Sequence, residues 1–164
     1  MTAWVNSDGL VVQFGTDEAV LAKAGEYPDV VGSSRVIEVK VTATGLAATP
    51  TLLDEYVSIP KNARIEKVEV VTETAVTSGG SAVLNFGLRA LDRTTAIDED
   101  GIVAALPIAS FNAAGETVLL TAGVTYGGAL LGTTISQAGL LYADYDTAAF
   151  TAGVFTIRVF FRIL

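Results

Sequence analysis

Two acidic runs are the places in this chain where residue type and spacing could do chemistry. Asp144-Tyr145-Asp146 sets two carboxylates two residues apart, hence on one side of a strand. That is close to the separation at which a carboxylate pair serves as general acid and nucleophile on a glycosidic bond. The run leads into Thr147, however, and the plainer reading is a strand end with turn chemistry. Asp98-Glu99-Asp100-Gly101, with Asp92 nearby, has the alternating acids and glycine of a calcium loop. Pro107 stands where an EF-hand places its bidentate glutamate, so a solvated acidic loop at a helix start is expected there.

Tyr27, Tyr56, Tyr126, Tyr142 and Tyr145 could stack on sugar rings, but tyrosines scattered among strands are ordinarily half-buried sandwich residues. Gly79-Gly80 and Gly127-Gly128 lack the following Lys-Ser/Thr that a phosphate cradle needs. The chain has no histidine and no cysteine. Imidazole bases, Ser-His-Asp triads, thiolate nucleophiles, disulfides and His/Cys metal sites are therefore impossible. The expectation is a non-enzyme with no catalytic residues, no metal and no cofactor.

Charge narrows the partners. The chain carries 10 bases and 18 acids, a net charge of −8. Between Arg93 and Arg158 there is no Lys or Arg, while Asp98, Glu99, Asp100, Glu116, Asp144 and Asp146 fall inside. No basic patch offers itself to a phosphate backbone, so no nucleic-acid partner is expected. No run of apolar residues is long enough to span a bilayer, and no signal-peptide pattern opens the chain; no membrane partner is expected and synthesis in the cytoplasm is. Only 17% of residues are charged, against about 25% in ordinary soluble domains. A surface of Ala, Thr, Gly and Val is either simply neutral or partly covered by other subunits.

The elements that must position these groups read as strands. Phe155, Ile157, Val159, Phe161 and Ile163 alternate with Thr156, Arg158, Phe160 and Arg162, which predicts a strand in a sheet interior. Segments 34–42, 64–74 and 82–91 alternate similarly, and 118–120, 130–134 and 140–144 are shorter candidates. Thr77-Ser78-Gly79-Gly80-Ser81 predicts a hairpin between 64–74 and 82–91, its glycines at positive φ. Asp17 to Ala24 and Asp100 to Leu106 could each form a helical turn or two. The pattern predicts an all-β fold, an antiparallel two-sheet sandwich of jelly-roll type, with an up-and-down barrel as the alternative. At 164 residues one domain suffices, 34–164, preceded by an extended N-terminal arm, 1–33.

That arm holds the chain's single Trp within Ala3-Trp4-Val5-Asn6-Ser7-Asp8-Gly9-Leu10-Val11-Val12-Gln13-Phe14-Gly15. A terminus is ordinarily loose unless something ties it down, so this apolar run predicts docking, on the body or on a partner.

The arm, its continuation Ala24-Gly25-Glu26-Tyr27, and the segment Val57-Ser58-Ile59-Pro60-Lys61-Asn62-Ala63-Arg64-Ile65-Glu66-Lys67-Val68-Glu69-Val70 resemble the capsid decoration (cement) proteins of cyanophage-like tailed bacteriophages. Leu91-Asp92-Arg93-Thr94-Thr95 and Ala143-Asp144-Tyr145-Asp146-Thr147-Ala148 are similar in flavour. The resemblance implies a jelly-roll homotrimer on the exterior of the virion capsid, bridging neighbouring subunits of the major capsid protein. Trp4, Val5, Leu10, Val12 and Phe14 are the expected capsid contacts. The alternatives are a carbohydrate-binding jelly-roll module on a virion surface, using Tyr142, Tyr145 and Asp144 for glycans, and a phage tail or baseplate structural protein. An acidic glycosidase comes last.

Overall fold

The computed structural model describes residues 34–164 throughout and, ahead of them, the backbone of two strands at 2–5 and 11–14. These are β1 (Thr2–Val5) and β2 (Val11–Phe14), which pair antiparallel with Trp4 opposite Val12. The segment expected to be an extended arm thus folds back on itself in its first part. Leu10, Tyr27 and the helical turn expected over 17–24 lie outside the described residues. Residues Met1–Ser33 and Ser34–Leu164 form two units.

The second unit contains β3 (Ser34–Thr42), β4 (Thr51–Leu52), β5 (Ser58–Ile59), β6 (Ala63–Ser78), β7 (Val83–Ala90), β8 (Ala96–Pro107), β9 (Thr117–Thr121), β10 (Gly139–Asp146) and β11 (Phe150–Ile163). One sheet has the order β3-β11-β6-β9, the other β4-β10-β7-β8 with β5 also on β10, and all pairs are antiparallel. The all-β, jelly-roll-like sandwich read from the alternation is the fold observed.

Each sheet turns one apolar face inward. β11 supplies Phe155, Ile157, Val159 and Phe161, and β6 supplies Ile65, Val68 and Val70. Facing them are Leu84, Phe86 and Leu88 of β7, Ile102, Val103 and Leu106 of β8, and Leu141 and Ala143 of β10. The register of β11 is fixed because a one-residue slip would send its phenylalanines to solvent. Ile65 and Val68 both point inward although three apart, because a bulge opposite Phe160 and Phe161 absorbs one residue. At one end of the core Phe111 meets Phe155 and Phe150 edge-on, with centroids 5.5 and 6.1 Å apart. The hydroxyl of buried Thr72 donates to the Phe111 carbonyl at 2.7 Å, satisfying a polar group that burial would otherwise penalise.

Three expectations are corrected. β6 and β7 are not a hairpin: they lie in opposite sheets, and residues 79–82 carry the chain across the sandwich. Gly79 and Gly80 are accordingly absent from the positive-φ glycines, which are Gly115, Gly123, Gly132 and Gly153 among those described. Residues 100–106 are strand, not helix, since β-branched Ile102-Val103 sits fully buried against β7. Residues 130–134 are not a regular strand; they contribute one isolated bridge, Arg64 to Thr134.

The connection 122–138 stitches the sheets together. Gly128 and Leu130 donate backbone bonds to Ile102 and Gly101 of β8, at 3.1 and 2.7 Å. A few residues on, Gly132 and Ile135 donate to Ile65 and Ala63 of β6, at 2.7 and 2.9 Å. The β8 side needs glycine: a Cβ on Gly128 would overlap the Gly101 carbonyl carbon and the Asp100 carbonyl oxygen. Gly128→Ala is expected to destabilise the fold by about 1–3 kcal/mol, the range for overpacking a tight site. A denaturant midpoint unchanged from wild type would contradict this.

Candidate functional site

With both inner faces committed to the core, function falls to the outer faces. On the β7-β8-β10 sheet, β7 and β8 step out of register: Phe86 pairs with Val103 and Leu88 with Asp98, so the acidic run 98–101 becomes a wide bulge in β8. The bulge lies directly over Gly87, where a Cβ would overlap the Asp98 carbonyl oxygen. At Gly101 a Cβ would come within 2.6 Å of both the Asp98 carboxyl carbon and a Leu130 side chain. The glycine that resembled part of a calcium loop is required instead by this packing. Among the described residues no group of three or more Asp, Glu, His or Cys is placed to hold a metal.

Asp144 and Asp146 do share one face, as the i, i+2 spacing required. Both carboxylates accept from the Asn85 side-chain amide, Asp144 Oδ1 at 2.8 Å and Asp146 Oδ2 at 2.8 Å. The Asn85 side-chain oxygen Oδ1 accepts the Ala105 N–H at 2.9 Å and holds that residue at φ +52°, a left-handed conformation an alanine adopts only when held. Asn85 is therefore a structural clamp joining β7, β8 and β10, and it engages one oxygen of each carboxylate.

Burial pushes the Asp144 carboxyl above its ordinary value; the Asn85 amide opposes this, and the charges of Asp146, Glu99 and Asp100 add to it. Asp98 is raised too, chiefly by burial and then by Asp100. Asp92 behaves oppositely: Thr95 hydroxyl and backbone donors, with the Thr94 N–H, hold it at about 2, making it a turn residue.

Strand alternation divides the tyrosines. Tyr145 turns inward, edge-on to Phe150 at 6.0 Å, while Tyr142 lies on the outer side, buried beneath the Arg89 guanidinium at 5.1 Å. Arg89 in turn bonds Glu99 through Nε at 2.5 Å. Tyr142, Tyr145 and Asp144 thus do not form one platform. Tyr56, 89% exposed, and Tyr126, on the 122–138 connection, belong to other segments. Sequence reasoning overlooked Asn85, Gly87 and Arg89; a Gly and an Asn inside a strand, both poor strand formers, were the available signal.

The outer face of the β3-β11-β6-β9 sheet carries matched charges. Arg158 Nε donates to Glu38 at 2.6 Å, Lys40 to Glu73 at 2.5 Å, Lys67 to Glu69 at 2.8 Å, and Arg162 Nε to Glu66 at 2.6 Å. Lys67 also sits 4.0 Å over the Phe160 ring. The exposed pairs, Arg158–Glu38 and Lys40–Glu73, contribute little to stability, so they shape the surface more than they hold the fold. Among the described residues every buried side-chain nitrogen or oxygen has a hydrogen-bond partner, which leaves no buried polar group aimed at an absent substrate. No described helix is long and apolar enough to cross a membrane.

The same architecture occurs in chains of three solved phage capsids. One belongs to the cyanophage Pam1 capsid asymmetric unit, with a TM-score of 0.58 and 18% identity over 92% of this chain and 98% of that one. Another is from the capsid of Ralstonia phage GP4, with a TM-score of 0.55 and 16% identity over 85% and 90%. A third is from the acidic stable capsid structure of Helicobacter pylori bacteriophage KHP30, with a TM-score of 0.54 and 12% identity over 82% and 90%. No protein-family model and no curated protein matches the sequence.

Asp144→Asn tests the reading of the shared face. A carboxyl whose folded pKa lies above its unfolded value costs stability once ionised, so stability falls as pH rises from the ordinary carboxylate range through the raised value. The variant keeps an acceptor for Asn85 and removes the charge. It is expected to melt higher than wild type at neutral pH and level with it at about pH 3, where both forms are neutral. A variant that melts lower at neutral pH would show that the charge stabilises the clamp.

Proposed function

We propose that this chain is a non-enzymatic capsid protein of a tailed bacteriophage, specifically a decoration protein on the outside of the shell that bridges neighbouring major capsid subunits. The observation that carries this reading is the likeness, over 82–92% of the chain, to components of three phage capsids. The chemistry of the molecule agrees: the Asp144 and Asp146 carboxylates are both bonded by Asn85, and among the described residues buried polar side-chain groups are satisfied internally. A small-residue surface with few charges suits packing among subunits.

In this reading residues 34–164 are the body and residues 1–33 the attachment segment. Trp4, Val5, Leu10, Val12 and Phe14 are its apolar anchors on the shell. Burial of apolar surface stabilises by about 25 cal/mol per Å², so anchors of this size would contribute several kcal/mol before the ordering of the segment is counted. On the shell the oligomer is the homotrimer that the resemblance implies, its site of action is the virion, and its partner is the major capsid protein.

Deleting residues 1–15 tests the assignment. The shortened chain is expected to melt as a folded sandwich while its co-sedimentation with shells stripped of this protein falls by at least about tenfold, as loss of several apolar anchors requires. Undiminished binding by the shortened chain would remove the attachment role from these residues.

A further inference from the structure

The four edges of the sandwich are closed unequally. The outer side of β8 is occupied by backbone bonds from 126–130, including Gly128 to Ile102 and Ala104 to Tyr126 at 2.9 Å. β9 is five residues long, and β4 and β5 are two each, lengths that offer little template for pairing. β3 is nine residues long and pairs with β11 on one side, and no strand among the described residues pairs with its residues 36–42 on the other. A long open edge either is covered or recruits a strand.

We propose that β3 is an interaction surface for a second copy of this chain, the two β3 strands pairing antiparallel about a two-fold axis at Val39. The side chains of β3 select this partner and this register. Val39 and Val41 are buried and Ile37 packs on the core, whereas Val36, Glu38, Lys40 and Thr42 face outward and are exposed. With Val39 opposite the partner's Val39, Ile37 faces the partner's Val41, and the inner row remains apolar. On the outer row Glu38 faces the partner's Lys40, and Lys40 faces the partner's Glu38. Directly opposed residues on one face lie close enough for such pairs to count, and like charges there repel.

Neighbouring registers fail on simple grounds. Moving the axis by one residue sets Glu38 against itself or Lys40 against itself. Centring it between residues puts the inner row of one strand opposite the outer row of the other, which the buried face forbids. The pairs within each chain favour the same arrangement. Arg158 already holds Glu38, and Lys40 already holds Glu73. Pairing two copies therefore yields an alternating run from Arg158 through Glu38 and the partner's Lys40 to the partner's Glu73. The contact is isologous, so it closes on itself and does not propagate as a filament through this edge. It concerns the free chain and stands apart from attachment to any shell.

The test uses the full-length chain and two charge reversals, Glu38→Lys and Lys40→Glu, measured by sedimentation across a concentration series. Wild type is expected to double in mass as concentration rises. Each single variant sets like charges opposite one another twice and should weaken this association by about tenfold or more. An equimolar mixture of the two variants should recover the wild-type association, because each then faces its opposite charge across the axis. The mixture is decisive, since within every chain the Glu38–Arg158 or Lys40–Glu73 pair stays broken. Wild type that never doubles in mass, whether because its own residues 1–33 or nothing at all occupies the edge, would overturn the proposal. So would single variants that associate like wild type, or a mixture no stronger than its components.

Discussion

The seam where 122–138 meets both sheets is the constraint on which the rest of the sandwich depends. Two apolar sheet faces attract one another without direction, so burial alone does not fix how they sit. Here one short stretch of backbone bonds first to β8 and then to β6, and it can approach β8 closely because residues 101 and 128 carry no side chain. Beside this seam the acidic run of β8 bulges over Gly87. That bulge brings Glu99 to Arg89, which lies over Tyr142, and just beyond it Ala105 meets Asn85. The outer surface is thus a consequence of how the interior is closed.

The two outer faces differ in kind. One sheet presents neutralised pairs, Glu38 with Arg158, Lys40 with Glu73 and Lys67 with Glu69, interleaved with the apolar surface of Phe160. The other carries Glu99, bonded to Arg89, together with Asp100, Asp144 and Asp146, and some of that charge is partly buried. A molecule with one neutral and one acidic face is suited to being oriented between unlike neighbours. We connect this asymmetry with the proposed position on a shell, where one side meets capsid and another meets solvent.

Strands whose one face is buried were legible in the sequence because burial writes a period of two into it. β11, β7 and the middle of β6 show this in Phe155 to Phe161, Leu84 to Leu88 and Val68 to Val70. The sheet to which each belongs was not legible. Ser78-Gly79-Gly80 suits a hairpin locally, but β7 finds its partners in β8 and β10, and that choice rests on residues far along the chain. The β8 bulge was missed because it breaks the alternation over 98–102, where consecutive Ile102 and Val103 are both buried and the acids resemble a helix start. Asp144 and Asp146 were correctly placed on one face, but their role was not visible, since it is set by Asn85 on a neighbouring strand. For Trp4, Val5, Val12 and Phe14 the apolar run was plain while the pairing of β1 with β2 was not.

The central claim is a place on a particle, and immunogold labelling of intact phage particles with antibody raised against residues 34–164 tests it most directly. Gold distributed over the outside of the head, and lost when the protein is stripped from the shell, is the predicted result. Gold confined to the tail or baseplate, or intact heads that carry none, would contradict it.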